Sequence, residues 1–586
     1  MRETDAEFAA AISRRHFNMR RVSQAVRCPP YCASREMLSS DRGKINARRT
    51  PYDADAPIQD AVSSLHIKNQ EIEWPNSGVT EQVGIPRDAK ILAKGVSVSL
   101  TGSMAARALN MVSQVLIARF LGAANFGLYA IGWTLVRLLE QVNTLGLEAG
   151  VVYFGANYQR SNPPKFKGVL TQSIALSFFT GLTIGTLLYL AAPALAVHVF
   201  RKPEASAVIR AFAPVFPLYG VFFVGGGLTN LSQRMQYYAY STMGSAVSAL
   251  ALLCIFFMLG WGLTGAVVAT VGGIAVGALM SVYFIRGLFP AVFARQVRSE
   301  WVGSELLAFS IPVALAGLAI SMLAFMDRLF VASYCTSAET GIYQAASQLS
   351  ILFGIIFGAF NSIFTPMVAD LHARGENQRL GELYRLCAKW RVYVCAPVFV
   401  IILFAHLDLV EALYGRVYAQ AGMPLVILAA GQLFAVVAGT SQTVLTMTGR
   451  QKTVVVIVLA TVLLDLALNF VLVPRFGLVG AASAAAISAV VLTLSTVTAV
   501  KIYASISLFD LRYAKSMAAA LVAYGILYVL RPLEIGPPAF RLLIVAAIGL
   551  TAFSGCLIAL GLDTEDWEVF EMIRSRFWPR QPLGAP

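Results

Sequence analysis

Charged residues are scarce in this chain: they make up 13% of its 586 residues, whereas hydrophobic residues make up 57%. A soluble domain typically carries about 25% charged residues, so the composition excludes an ordinary soluble protein. Apolar runs of about 20 residues, the length that crosses a bilayer, recur along the chain. The sequence therefore predicts an integral membrane protein.

Motifs of catalysis and metal binding are also missing. The chain has no GxxxxGK[ST] phosphate loop, no HExxH zinc motif and no nucleophile elbow. Its seven cysteines are an odd number without a CxxC pair, and its five histidines are scattered, which argues against a disulfide framework or a metal site. We expect no enzyme activity, no cofactor and no bound metal, with the cysteines acting as small apolar residues.

The positive charge has a distribution that is typical of membrane proteins. The formal net charge of +14 comes mainly from an N-terminal tail and from short loops between apolar runs. With a cytoplasmic N-terminus, the cytoplasmic loops hold seventeen Lys and Arg residues and the opposite loops hold seven. This bias predicts that both termini are cytoplasmic and that the number of spans is even. The same distribution explains the positive charge without a nucleic-acid partner, and we expect none.

About fourteen apolar segments follow the tail. They lie near 97–119, 126–150, 168–192, 208–231, 238–260, 262–285, 304–331, 340–366, 390–406, 421–446, 453–473, 477–500, 513–531 and 540–561. The predicted organisation is a disordered cytoplasmic N-terminal tail, two six-helix bundles, an additional helix pair and a cytoplasmic C-terminal tail. These five parts occupy residues 1–94, 95–303 (with a linker), 304–505, 506–562 and 563–586.

Two short sequences occur twice. "NFGLYAI" at 125–131 resembles "ETGIYQA" at 339–345, and "WGLTGAVVAT" at 261–270 resembles "FGLVGAASAA" at 476–485. The spacing between the copies is the same for both pairs to within a single position, and it spans six segments. An even number of crossings returns the chain to the same side of the membrane. The repeat therefore predicts two bundles of equal orientation, an arrangement that transporters use to rock about a central site.

A polar stripe runs along the first predicted span. Its members recur at i, i+4, i+7 and i+11: Ser103, Arg107, Asn110 and Gln114. That spacing places them on one helix face. Polar groups in a membrane core usually face a bundle interior or a wet cavity, so we interpret the stripe as the lining of an aqueous cavity.

The second predicted span carries Arg137 and Glu140, which we place on the wall of the same cavity. They are three residues apart and can form an ion pair. Arg107 and Arg137 in a cavity would attract an anionic group such as a phosphate, which a guanidinium binds through its planar fork. In the alternative interpretation, helix partners neutralise both arginines, which then only hold the bundle together.

The second half carries further polar residues inside apolar runs. Asp465 lies in mid-span with Asn469 one turn later, and is a candidate for proton or sodium coupling, or for capping a neighbouring helix. Asp327 is a second candidate for coupling; with Arg328 it lies near the outer end of the seventh span, where both can pair with other helices or reach the interface. Gln348, in the eighth span, is a candidate for the cavity wall or for interhelical hydrogen bonding.

Three long segments resemble a known family. They include "ARFLGAANFGLYAIGWTLVRLLEQVNTLGLEAGVVYF" in the first half, and "FMDRLFVASYCTSAETGIYQAASQLSILFGIIFGAFNSIFTPMVADL" and "DLALNFVLVPRFGLVGAASAA" in the second. These segments are similar to the polysaccharide flippases of the multidrug/oligosaccharidyl-lipid/polysaccharide exporter superfamily, and the likeness covers about 95–500. The resemblance implies an all-α, V-shaped, two-lobed transporter that works by alternating access.

The same resemblance implies a function and a location. The substrate would be an oligosaccharide repeat unit linked to undecaprenyl diphosphate, translocated across the bacterial inner membrane for exopolysaccharide, O-antigen or capsule synthesis. Implied partners are this lipid-linked oligosaccharide, membrane lipids, and polysaccharide polymerase and chain-length proteins. Two alternatives are a multidrug–cation antiporter, for which an acidic cavity would be expected, and a glycan polymerase or ligase, which would need a large outer loop.

Overall fold

The computed structural model describes residues 87–232, 234–290, 298–504, 506, 513–530, 536–561, 563 and 566, with side chains from residue 102 onward. Nearly all of the predicted N-terminal tail and most of the predicted C-terminal tail lie outside these residues. The described residues form helices and no strand, which confirms the all-α fold class. The domain boundaries given above stay a prediction.

Fifteen α-helices can be followed through the described residues. They are α1 (Arg87–Thr144), α2 (Leu147–Ser161), α3 (Pro163–Ala194), α4 (Ala205–Phe212), α5 (Val215–Leu231), α6 (Gln236–Met258), α7 (Gly262–Leu288), α8 (Gly303–Tyr334), α9 (Ser337–Ala373), α10 (Asn377–Tyr414), α11 (Gly422–Ala438), α12 (Thr440–Met447), α13 (Gln451–Ala504), α14 (Tyr513–Val529) and α15 (Pro538–Ala559). A π-helical turn, Leu195–Val199, follows α3, and a 3₁₀ turn, Arg416–Ala421, follows α10.

Within the described ranges, ten helices are long and apolar enough to cross a membrane, or eleven when the bent pair α4 and α5 is taken as one span. Three of these helices contain a break: α1 at Gly122 (φ 71°), α10 at Ala405 (φ −111°) and α13 at Gly477 (φ 57°). A straight helix of 58 residues, the length of α1, would be about 87 Å long, far more than one bilayer needs, so the two longest broken helices, α1 and α13, can each supply two spans. The number fourteen itself remains a prediction.

The helix boundaries repeat with the spacing seen in the sequence. Helix α3 begins at Pro163 and α10 at Asn377, which is the spacing between "NFGLYAI" and "ETGIYQA". Helix α6 begins at Gln236 and α13 at Gln451, which is the spacing between the second pair of repeated sequences. The two repeated segments therefore build corresponding helices, and we call α1–α7 the first lobe and α8–α13 the second lobe.

The repeated junctions differ in their local conformation. Gly122 is a kink inside α1, whereas the equivalent Thr336 caps the start of a separate helix, α9, through the backbone N–H of Glu339 (3.2 Å). Conversely, Gly262 starts a new helix after a turn, whereas the equivalent Gly477 is a kink inside α13. Glycine tolerates the positive φ that both kinks require.

The largest buried apolar cluster takes residues from both lobes. It includes Phe126 and Tyr129 at the start of the second arm of α1, together with Tyr343 of α9 and Tyr418 of the 3₁₀ turn. The rings of Phe126 and Tyr418, one from each lobe, lie 6.3 Å apart in an edge-on arrangement. The lobes are thus packed firmly together at this end of the molecule.

The helix pair α14 and α15 packs on α10. Beyond α15, Asp563 and Asp566 accept ion pairs from the buried Lys389 of α10 at 2.8 and 2.9 Å. Lys515 of α14 also reaches Asp563, at 2.9 Å. This set of four residues, the C-terminal clamp, ties the added pair to the second lobe.

Candidate functional site

A cavity of about 410 Å³ lies between the lobes. Its wall comes mainly from α1, α5, α6 and α7 of the first lobe, and α8 and α9 of the second lobe complete it. Most of the residues placed on a cavity wall from the sequence line it: Ser103, Arg107, Asn110, Gln114, Arg137 and Gln348. The polar stripe of the first span thus forms one side of this cavity.

Three arginines and no acidic residue are found among the described residues that line this cavity. The arginines are Arg107, Arg137 and Arg328. The carboxylates nearest to them, Glu140 beside Arg137 and Asp327 beside Arg328, do not line this cavity, so the described part of its surface presents positive formal charge and favours an anion over a cation.

The guanidinium of Arg137 is fixed by Tyr219 and Glu140. Its Nη1 donates to the hydroxyl of Tyr219 and forms an ion pair with Oε2 of Glu140, both at 2.6 Å. Tyr219 in turn donates to Glu140 at 3.3 Å. Glu140, which the sequence placed on the cavity wall, is absent from the residues that line it; its side chain is buried and forms the ion pair with Arg137.

Arg107 and Asn110 are exposed to the cavity, whereas Gln114, further along α1, is buried and donates to the hydroxyl of Tyr129 at 3.3 Å. Among the residues that the structure describes, no side chain pairs with Arg107. Its guanidinium therefore keeps all its donors for a ligand or for water. The exposed fraction falls to 2% at Ile117, so the cavity is open along the first part of this helix and closed at its end.

Arg328 was missed as a cavity residue. The sequence placed it with Asp327 near a helix end, free to reach the interface, but both side chains are buried, and Arg328 lines the cavity. Its guanidinium carbon lies 4.9 Å from the centre of the Phe325 ring. The position of Arg328 on the cavity wall is revealed only by the packing of the two lobes, because the residues before and after Arg328 belong to a continuous apolar helix.

A second cavity of about 360 Å³ continues the first one into the second lobe. The two share the wall residues Phe325, Arg328 and Ile351. The second cavity also carries uncharged polar groups: Ser347, Ser350, Gln432 and Gln442. The cationic chamber thus opens into one with many uncharged hydrogen-bonding groups.

Both carboxylates proposed for ion coupling are buried in the second lobe. Asp327 lines the second cavity and accepts a hydrogen bond from the Tyr343 hydroxyl at 2.6 Å. Asp465 accepts one from Nδ2 of Asn469 at 3.1 Å. Tyr343 lies within electrostatic reach of both carboxylates, so the two form one cluster rather than two isolated sites.

Arg391 corrects the loop assignment. Arg391 is one of the seventeen Lys and Arg residues assigned above to cytoplasmic loops, but it belongs to α10 and is fully buried. Its guanidinium donates to the carbonyl of Val436 at 3.2 Å and lies 4.8 Å from the ring centre of Phe357. A mid-helix position fits here because aromatic rings replace the water that a loop would provide.

Two family models match the chain. The model described as "Polysaccharide biosynthesis protein" matches residues 92–372, and the model "MatE" matches residues 312–471. The first match covers all but the first few residues of the first lobe and the start of the second lobe, and the second match lies within the second lobe.

Curated relatives are similar at low identity. "Stage V sporulation protein B" of Bacillus subtilis (strain 168) is 24% identical over 453 residues, which is 73% of this chain and 87% of that protein. "Probable low-salt glycan biosynthesis flippase Agl15" of Haloferax volcanii is 25% identical over 207 residues, covering 35% of this chain and 43% of that protein.

A solved structure shares the fold. "Lipid II flippase MurJ, inward closed conformation" superposes with a TM-score of 0.65 at 15% identity, over 81% of this chain and 99% of that one. The chain thus shares the fold of a multi-pass membrane transporter. Taken together, the two family models extend over residues 92–471, and the chain is similar in that range to polysaccharide biosynthesis and MatE proteins.

Proposed function

We propose that this protein is a flippase for lipid-linked glycans, and that its substrate is an oligosaccharide repeat unit on undecaprenyl diphosphate. One observation carries the proposal: the wall of the first cavity presents Arg107, Arg137 and Arg328 and, in its described part, no carboxylate. A diphosphate offers several anionic oxygens, which planar guanidinium groups bind through paired hydrogen bonds.

The three arginines are held differently, and each therefore has a different role in binding the substrate. Arg137 is fixed by Tyr219 and Glu140 and serves as a preorganised anchor. Arg107, which has no side-chain partner among the described residues, is free to follow the substrate. Arg328 belongs to the second lobe. A diphosphate bound to all three arginines would therefore contact both lobes at once.

The substrate enters from the cytoplasmic leaflet and leaves on the other side of the bacterial inner membrane. The loop charges support this orientation, and with it a cytoplasmic location of both termini. The released repeat unit would pass to a polysaccharide polymerase and to chain-length proteins as partners. The transporter alternates between two arrangements of its lobes, and the substrate shifts their populations by binding them differently.

The driving force is a proton or sodium gradient that acts at Asp327 and Asp465. The support is the burial of both carboxylates, and the position of Tyr343, which donates to Asp327 and lies within electrostatic reach of Asp465. Intramembrane carboxylates of this kind commonly mark ion pathways. Binding a cation there would change the charge beside Arg328 and so couple the ion to the anionic substrate.

The test is transport in proteoliposomes that hold a defined lipid-linked oligosaccharide. Exposure of the glycan on the far leaflet is followed with an impermeant sugar-modifying reagent, and the same vesicles are assayed with a cationic dye. Glycan translocation by the wild-type protein, lost in Arg107→Ala and Arg137→Ala, is the expected result. Dye export without glycan movement would instead identify a multidrug–cation antiporter and overturn the proposal.

A further inference from the structure

The cavity is closed at one end of the molecule, which we call the sealed end and define by Ala118, Lys202, Ala332 and Tyr418. Ala118 and Ala332 lie in α1 and α8, and each is at most 1% exposed. Lys202 lies in the turn after α3 and Tyr418 in the 3₁₀ turn after α10. Each of these turns follows the third span of its lobe.

Two hydrogen bonds cross between the lobes at the sealed end in a symmetric way. Lys202 of the first lobe donates from Nζ to the carbonyl of Ala332 in the second lobe. Tyr418 of the second lobe donates from its hydroxyl to the carbonyl of Ala118 in the first lobe, at 2.8 Å. The two acceptors are separated along the chain by the same spacing as "NFGLYAI" and "ETGIYQA", so the same position of each repeat accepts a bond from the opposite lobe.

The repeated glycines follow the same symmetry. A Cβ on Gly127 would lie 1.7 Å from the carbonyl oxygen of Ser337, and one on Gly341 would lie 2.1 Å from that of Ala123. Ala123 and Ser337 again occupy equivalent positions of the two repeats. The backbones of α1 and α9 therefore touch directly across a pseudo-two-fold axis, which only glycine allows.

Cations strengthen the closure where helices end. Lys202 also donates to the carbonyl of Cys335, just past the end of α8, at 2.8 Å. Arg119 of the first lobe donates to the carbonyls of Leu413 (2.7 Å) and Ala412 at the end of α10. The last carbonyls of a helix lack intrahelical donors and carry partial negative charge, so each cation favours the closed arrangement.

We infer that these contacts form one two-fold latch, with Lys202 and Tyr418 as its paired donors, and that both bonds break when the lobes part to open the sealed end. The inference rests on the transporter fold and requires no particular substrate. It also assigns unequal strengths, because a bond from an ammonium group is stronger than one from a neutral hydroxyl.

The test measures access to the cavity from the sealed side. A single reporter cysteine, Thr270→Cys, lies on the cavity wall and is placed in a chain whose native cysteines are replaced. Its reaction rate with an impermeant thiol reagent is measured from each side of the membrane. We expect Lys202→Met to raise the rate from the sealed side about tenfold and Tyr418→Phe about threefold, with Lys202→Arg close to wild type.

Matched controls are Lys452→Met and Tyr240→Phe, which change exposed side chains outside the latch. A variant that fails to fold would react quickly from both sides, whereas a released latch raises the rate from the sealed side alone. Rates for both latch variants within twofold of their controls would overturn the inference. Since no substrate is present, that result would leave the proposed function untouched, and loss of glycan transport would leave the latch untouched.

Discussion

Arg137 and Arg328, which come from different lobes, lie over the same aromatic ring. Their guanidinium carbons are 5.5 and 4.9 Å from the centre of Phe325. An aromatic face attracts cations, so Phe325 holds two like charges near each other that would otherwise repel. The arrangement prepares a site for an anion that both lobes can bind.

The first prediction concerns the cavity arginines. Arg107→Ala or Arg137→Ala should abolish export of the surface glycan while the protein remains in the membrane. Arg107→Lys should retain part of the activity, because a mobile point charge still attracts a phosphate. Arg137→Lys should fail, because an ammonium cannot replace a planar fork that contacts Tyr219, Glu140 and Phe325 together.

Export is measured as surface glycan per cell, with protein level by immunoblot. The matched control is Arg374→Ala, whose side chain is 62% exposed and pairs with Asp370 at the surface. Wild-type export by both alanine variants would remove the anion-binding role from the first cavity.

The second prediction separates support from binding at Glu140. Glu140→Ala should lower the melting temperature in detergent, because it leaves Arg137 without its carboxylate and costs about 2 kcal/mol. The double variant Arg137→Leu with Glu140→Leu should recover stability, since an apolar pair can replace an ion pair, yet it should not transport. A double variant that transports normally would contradict the role given to Arg137.

The third prediction tests the contact between the lobes. Gly127→Ala should destabilise the closed arrangement by about 1–3 kcal/mol, because its methyl group would overlap the carbonyl of Ser337. The effect is read as faster thiol labelling from the sealed side. Gly525→Ala is the control, since a Cβ there would meet nothing within 4 Å in the described part of the chain. Equal labelling in the two variants would rule out the close contact.

The fourth prediction is a pH dependence of the C-terminal clamp. Hydrogen bonds from Lys389 and Lys515 lower the pKa of Asp563 to about 2, below the value of about 3.9 for an unfolded aspartate. The ionised carboxylate therefore stabilises the folded form at pH above about 4, and this contribution is lost as the pH falls from about 4 towards 2.

Trp390 reports on this clamp because its indole donates to Asp566 at 3.1 Å. We expect the fluorescence difference between the wild type and Trp390→Phe to change over that pH range. Asp563→Asn should remove most of the change, because an amide does not titrate. An unchanged transition in Asp563→Asn would assign it to other groups.

The fifth prediction addresses the driving ion. Asp465→Asn should leave glycan binding within about twofold of wild type but should remove the dependence of transport on a proton or sodium gradient. Asn469 donates to this carboxylate. Asn469→Ser is therefore a milder variant, because it keeps the carboxylate and changes only its hydrogen-bond donor. Full gradient dependence in Asp465→Asn would exclude this carboxylate from coupling.

Much of the fold could be predicted from the chain. Long apolar runs must become helices in a bilayer, because backbone groups there need internal partners, and the repeated glycine sequences predicted two equivalent lobes. The stripe of Arg107, Asn110 and Gln114 could be predicted as well, because helical periodicity alone decides which side chains share a face.

The tertiary structure decided the rest. No local pattern indicates that Arg328 reaches the cavity, that Glu140 lies behind Arg137, or that Arg391 is buried against Phe357, because each depends on a helix from elsewhere in the chain. The hydrogen bonds from Lys202 and Tyr418 to carbonyls of the opposite lobe could not be predicted for the same reason: they join segments that are far apart in the chain. Helical periodicity determines which side chains share a face of a helix, whereas tertiary packing determines which residues that face contacts.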